Sequence, residues 1–225
     1  MSELGEISTR LHARPQPKSK IGKSERTRAA ILDAGLEFVW SRPFRDMTVG
    51  ELMAVTGLSR SAFYQYFDDL HDLMQSLLDL VKDEVYAVTR PWFHGVGDPV
   101  VLVNESLSGL VRVCYRLGPI IRAADHAAAN DERLEKAWMQ FVEQFDDAIV
   151  TRIEADQEQG LVPAIDARPV AIALNRLDVY TLIEAFGERP RSKPGPVHGA
   201  LAQIWISTLY GSEWVAGGTS NLIRT

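Results

Sequence analysis

The chain predicts an all-α fold, on three observations. Apolar residues recur at three- and four-residue spacing along most of the 225 positions. The interruptions fall at glycine and proline, and no stretch alternates apolar with polar residues as a half-buried strand would. The pattern falls into three parts. Residues 1–22 read as a mobile basic arm, residues 23–68 as a small unit with a helix-turn-helix, and residues 69–225 as a larger helical body that opens with a connecting helix over 69–90.

The arm mixes Pro15, Pro17, Lys18, Lys20 and Gly22 with few apolar residues. Two readings stand: a solvated tail, or an arm whose lysines, Lys20 and Lys23 nearest the first helix, follow a phosphate backbone or a minor groove. Ser24 is placed to cap a first helix running to about Val39, with Ala29, Ile31, Leu32, Leu36 and Val39 as a wide apolar face. Arg42-Pro43 ends that stretch.

Thr48 to Phe67 carries the sharpest signal. Thr48 can cap a helix whose apolar positions are Val49, Leu52 and Met53, and Gly57 supplies the positive φ of a C-terminal cap. Ser59 then caps a second helix patterned by Ala62, Phe63, Tyr66 and Phe67, which gives a helix-turn-helix spacing. Phe63 and Phe67 form its buried edge, while Arg60, Ser61, Tyr64 and Gln65 lie on other faces and can donate or accept hydrogen bonds. Such a helix suits a major groove, with Arg60 matched to guanine and Tyr64 to a thymine methyl or a phosphate. The plainer alternative is a surface helix whose polar residues are merely solvated.

Asp69 caps a fourth helix, with Leu70, Leu73, Met74, Leu77, Leu78, Val81 and Val85 in register, expected to stop at about Thr89 before Pro91. Pro91 to Pro99 is the clearest break. Val100, Val103, Leu107, Leu110, Val111 and Cys114 form the next stripe, to Leu117, and Pro119 is expected to start a separate, shorter helix. Asp131 caps a long helix bearing Leu134, Trp138, Phe141 and Phe145, closed by Gly160 and Pro163. Asp166 opens another that ends at Gly187, and a last helix spans about Val197 to Tyr210.

Trp138, Phe141 and Phe145, with Trp205, Leu107, Leu110 and Cys114, read either as core or as the wall of an apolar pocket. Asn175 and Asp178 are a sparse polar pair one turn apart, able to orient a ligand or to be satisfied by Arg112, Arg122 or Arg176. The last two helices carry more apolar surface than one side can bury, with Val179, Ile183, Ile204, Thr208 and Leu209 expected to face outward into a homodimer interface.

The net charge of −6 divides unevenly. Residues 1–67 hold 10 basic against 7 acidic residues, and residues 68–225 hold 14 against 23. The positive part therefore accompanies the helix-turn-helix, as attraction to phosphates requires. No apolar run reaches membrane-spanning length, so no membrane partner is expected. One cysteine, Cys114, suits a reducing cytoplasm. His12, His71, His94, His126 and His198 show no metal-ligand spacing, and no phosphate-binding glycine loop or nucleophile–base arrangement appears. Neither an enzyme nor a cofactor or metal site is expected.

RTRAAILDAGLEFV, SRPFRDMT and VGELMAVTGLSRSAFYQYF, followed by a long amphipathic helix, resemble the DNA-binding domain of the TetR family of transcriptional regulators. The resemblance implies base contacts for Arg60, Ser61 and Tyr64. It implies phosphate or nearby backbone contacts for Ser59, Gln65 and Tyr66, with Thr48 on the same side. Ala62 and Leu70 depart from the family pattern, and each removes a phosphate contact. His71, beside Leu70, can replace one in part when protonated.

AWMQFVEQFDDAIVTRIEADQEQG, AIALNRLDVYTLIEAF and QIWISTLYG resemble the regulatory domain of the mycobacterial ethionamide-activation repressor subgroup. That resemblance implies an aromatic-lined apolar channel walled by Trp138, Phe141, Phe145, Asn175 and Trp205, with Asp178 where an Asn is found. The implied function is a dimeric repressor, released from a palindromic double-stranded operator by a small hydrophobic effector. The alternative is a small-molecule-binding protein of this fold with weak or lost operator binding.

Overall fold

The computed structural model describes residues 22–211. Residues 1–21 of the arm, Lys20 among them, lie outside the described residues. All regular structure among the described residues is helical: α1 (Lys23–Ser41), a 3-10 turn (Phe44–Asp46), α2 (Val49–Thr56), α3 (Arg60–Phe63), α4 (Leu70–His94), α5 (Pro99–Ala128), α6 (Glu132–Glu158), α7 (Ala167–Phe186) and α8 (Pro194–Leu209). None of these helices is long and apolar enough to cross a membrane.

Helices α1, α2 and α3 pack together, and α1 also lies on α4 and α5. Helix α4 buries Leu73, Met74, Leu77, Leu78 and Val81 completely or nearly so. Its first turns face α1, and its length packs along α5 and α6. Helix α5 is the centre of the body, in contact with α4, α6, α7 and α8.

The structure corrects several expected boundaries. Helix α1 is capped at Gly22 rather than Ser24, because the Glu25 carboxylate reaches back to the Gly22 N–H at 2.9 Å. It runs two residues past Val39, to Ser41. Helix α4 does not stop before Pro91 but continues for another turn to His94. Arg152 of α6 stabilises that turn by donating from Nη1 to the Trp92 carbonyl at 2.6 Å and to the Gly95 carbonyl at 3.3 Å.

Pro119 likewise does not start a new helix; it sits inside the continuous α5. A proline there leaves the carbonyl four residues earlier without its helical donor. That carbonyl belongs to Tyr115, and Arg191 Nη1 donates to it at 2.6 Å. Helix α8 begins at Pro194, before the expected Val197. On the outer faces of α7 and α8, Ile204 is 40% exposed, but Leu209 is fully buried and belongs to the core rather than to an outward surface. Ile172 and Tyr180 are exposed in its place.

Candidate functional site

Two places bring the sequence-predicted residues together. The first is the outer surface of α2 and α3. Thr48 Oγ1 accepts the Glu51 N–H at 3.2 Å and donates to the Glu51 carboxylate at 2.9 Å, so this hydroxyl holds the start of α2. Arg42 pairs with the same carboxylate at 3.0 Å. Gly57 turns the chain at φ 69°, the left-handed conformation that a side chain disfavours. Ser59 Oγ caps α3 from the Ala62 N–H and shares a 2.8 Å hydrogen bond with Ser61 Oγ.

Helix α3 ends at Phe63, short of the expected Phe67, and Tyr64–Tyr66 form a turn. Phe63 and Phe67 are still buried and in contact, with centroids 5.4 Å apart, which fixes how α3 and this turn sit on the rest. Arg60, Ser61, Tyr64 and Gln65 are therefore left exposed, and Tyr66 is half-buried. Tyr64, at 60% exposed, is a large aromatic left open to solvent. The Arg60 guanidinium lies over Gly50 of α2, where an added Cβ would come within 2.3 Å of Nη2. Gly50 is thus the seat of the Arg60 side chain. Lys23 is exposed at the start of α1.

His71 is placed differently from its expected phosphate-facing role. Its Nε2 lies 2.7 Å from Asp131 Oδ2, the cap of α6, and its Nδ1 lies 3.7 Å from Asp69. Arg133 of α6 reciprocates by donating to Asp69, the cap of α4, at 2.6 Å. The two helix starts are thereby crossed by two pairs. The Arg133 hydrogen bond holds the Asp69 carboxyl below the usual carboxylate range, and the His71 hydrogen bond does the same for Asp131.

The second place is a cavity of about 70 Å³ in the body, lined by α4, α5, α6, α7 and α8. Leu107, Leu110, Cys114, Phe141, Phe145, Asn175, Asp178 and Trp205 all line it, as expected. Trp138 does not; it is stacked on the far side of Phe141, with centroids 5.6 Å apart. Trp92 and Phe93 escape the sequence reading because it ends α4 before Pro91. Val85, Thr89 and Trp92 continue one stripe at i, i+4 and i+7, a signal that the proline masked.

The polar groups of this wall are mostly engaged. Asn175 Nδ2 donates to the Val142 carbonyl at 2.9 Å and to Asp146 at 2.6 Å. Arg176, one of the expected partners, closes the network on Asp146 with two bonds of 3.1 Å. Trp205 Nε1 donates to Asp178 Oδ1 at 2.9 Å. Burial pushes the Asp178 carboxyl up to about 7, against the Trp205 hydrogen bond. Burial, with the Asp178 charge adding to it, raises the Cys114 thiol to about 12, so this cysteine is an inert wall residue.

An exposed short helix on a helix-turn-helix, joined by one long helix to a body with an apolar cavity, is the build of a one-component transcriptional regulator. The chain is similar to regulators of this build, the TetR family among them. The family pattern described as "Transcriptional regulator EthR, C-terminal domain" matches residues 103–211. The HTH-type transcriptional regulator EthR of Mycobacterium tuberculosis (strain H37Rv) is 27% identical over 189 residues, covering 82% of this chain and 87% of the relative. The HTH-type transcriptional repressor LfrR of Mycolicibacterium smegmatis is 31% identical over 106 residues, covering 47% and 52%.

Solved structures share the fold. Salmonella enterica GusR superposes with a TM-score of 0.68 at 16% identity, covering 84% of this chain and 98% of that one. The TetR-family regulator PfmR from Thermus thermophilus superposes with a TM-score of 0.66 at 15% identity, covering 81% and 98%.

Proposed function

We propose that the chain is a homodimeric, cytoplasmic repressor that binds a palindromic operator and is released from it by a small apolar effector. In this reading α1 to α3 read the DNA, α4 links them to the body, and α5 to α8 hold the effector and form the dimer. The observation that carries the reading is the pair of exposed, unpaired side chains Arg60 and Tyr64, presented by α3 and the turn that follows it, which Phe63 and Phe67 lock down.

An effector can act only by its differential affinity for two arrangements of the protein. Helix α4 is the lever: its first residues are tied to α6 by His71–Asp131 and Asp69–Arg133, and its last turn lines the cavity through Trp92 and Phe93. A shift of α4 changes the separation of two reading heads, and two half-sites about 34–36 Å apart cannot both be engaged at the wrong spacing.

The alternative, a binding protein of this fold without operator affinity, rests on Ala62 and Leu70, where two phosphate contacts are missing. Titration of DNA from upstream of the gene decides. Arg60→Ala is expected to cost about 1–3 kcal/mol on the operator and to relax preference at one base pair. Equal affinity of both proteins for operator and scrambled DNA at every salt concentration would overturn the DNA-reading assignment.

A further inference from the structure

The cavity is not neutral in its hydrogen-bonding capacity, and the imbalance specifies a ligand class. Its wall contains no lysine, arginine or histidine. The N–H donors of its polar side chains already have acceptors: Trp205 gives its proton to Asp178, and Asn175 gives both to Val142 and Asp146. Thr89 gives its hydroxyl proton to the Val85 carbonyl at 2.8 Å. Acceptors remain. Trp205 is the one hydrogen-bond donor that reaches the Asp178 carboxylate among the described residues, and it occupies Oδ1. Asn175 has used its amide protons and keeps its carbonyl oxygen. Ser106, 3% exposed, lines the cavity with a buried Oγ that has no partner among the described residues.

We propose, building on the reading of this cavity as the effector site, that the effector is an apolar amine whose protonated nitrogen is held by the Asp178 carboxylate, with the Ser106 hydroxyl a further acceptor. A buried carboxylate with one hydrogen-bond donor and no cationic neighbour in the wall gains most from a cation that also donates hydrogen bonds. A carboxylate ligand meets the opposite situation. It brings a second negative charge into a wall whose free donors are the Ser106 hydroxyl and the weak Cys114 thiol.

The pH dependence follows with a definite sign. Asp178 on α7 and Cys114 on α5 are the titratable groups in the wall; α4, α6 and α8 contribute none. The thiol, near 12, stays protonated at neutral pH, and Asp178, near 7, loses its proton between pH 6 and 8. An alkylammonium stays charged over that range, so its affinity rises with pH.

Hexylamine, hexan-1-ol and hexanoate share one chain and differ in the end group. Calorimetric titration of the full-length protein and its Asp178→Asn and Ser106→Ala variants with all three tests the proposal. At pH 8 the amine is expected to bind the wild type about tenfold to a hundredfold more tightly than the alcohol, with hexanoate weakest. That preference is expected to shrink at pH 6, to fall to within about twofold in Asp178→Asn, and to weaken in part in Ser106→Ala. Hexanoate binding as well as hexylamine, or a preference that neither pH nor Asp178→Asn alters, overturns the amine assignment alone. Failure of all three probes, the neutral alcohol included, overturns the reading of the cavity as an effector site and the amine assignment with it. The pH series on the wild type keeps the test decisive should Asp178→Asn not fold.

Discussion

The α3 surface and the cavity wall treat polar side chains in opposite ways. On α3 and the turn after it, Arg60, Tyr64 and Gln65 are exposed, and the hydroxyls of Ser59 and Ser61 stay close to their own helix start. Water satisfies such groups at no cost until a partner displaces it. In the body, Asn175, Asp146, Asp178 and Asp156 are buried, and each has a specific hydrogen-bond partner. Burial without one costs more than the bond returns. The difference teaches where specificity resides: in the head it lies in what is left free, and in the body in which capacity remains after the fold has satisfied itself.

The largest expected effect breaks the body and leaves the head intact. Arg152 and Asp156 form a buried pair at 2.9 Å, and Tyr210 and Trp92 extend it, with Tyr210 donating to Asp156 at 2.8 Å and Trp92 Nε1 to Tyr210 at 3.0 Å. Arg152→Leu leaves Asp156 uncompensated and the last turn of α4 without its donor, and should destabilise by about 3–5 kcal/mol. Denaturant unfolding measures it; a loss comparable to a surface substitution would show that the pair is not what holds this end of α4.

A smaller effect separates the cavity from the core. The Asp178 carboxyl is raised from 3.8 to about 7, so the folded state holds its proton more tightly than the unfolded state does. Its contribution to stability is present below about pH 4 and is lost as pH rises towards 7. Asp178→Asn should therefore compare more favourably with wild type at pH 8 than at pH 5 in thermal melts. An unchanged gap between the two proteins at both values would mean that Asp178 does not titrate in this range.

The local features of this fold were legible because their causes are local. Thr48, Gly57, Ser59 and Asp69 do what capping chemistry requires of them, and Phe63 with Phe67 gives the orientation of α3 from spacing alone. The misread breaks had distant causes. Arg191 rescues the helix at Pro119 from 76 residues beyond Tyr115, and Arg152 sustains α4 past Pro91 from 60 residues beyond Trp92. Trp138 and Phe141 share a stripe in sequence, but only the three-dimensional position of α6 shows which of them meets the cavity. Leu209 reads as outward in the sequence for the same reason: its helix is apolar on more than one side, and the packing partner chooses the face.

In the head, Gly50→Ala would force the Arg60 guanidinium from its seat, which a flexible side chain can leave at little cost to folding. The melting temperature should barely change while operator affinity falls by less than the loss in Arg60→Ala. Operator affinity that stays at the wild-type value would show that Arg60 reads DNA from another position. The smallest effect belongs to the crossed pairs at the seam. His71–Asp131 and Asp69–Arg133 are partly exposed, so His71→Ala should cost no more than about 1 kcal/mol of stability. Asp69 and Asp131 have lowered carboxyl pKa values, so their contribution is present above about pH 4 and is lost on further acidification. A ligand response that survives His71→Ala unaltered would remove this pair from the coupling route.

The claim that joins the two regions is that filling the cavity weakens the grip of the reading heads. Anisotropy of a labelled operator duplex, titrated with protein in the presence and absence of whichever six-carbon probe raises the melting temperature, tests it directly. Saturating probe should lower operator affinity by about tenfold or more, which is a coupling of about 1.4 kcal/mol. An operator affinity that is the same with the cavity filled as with it empty would contradict the account.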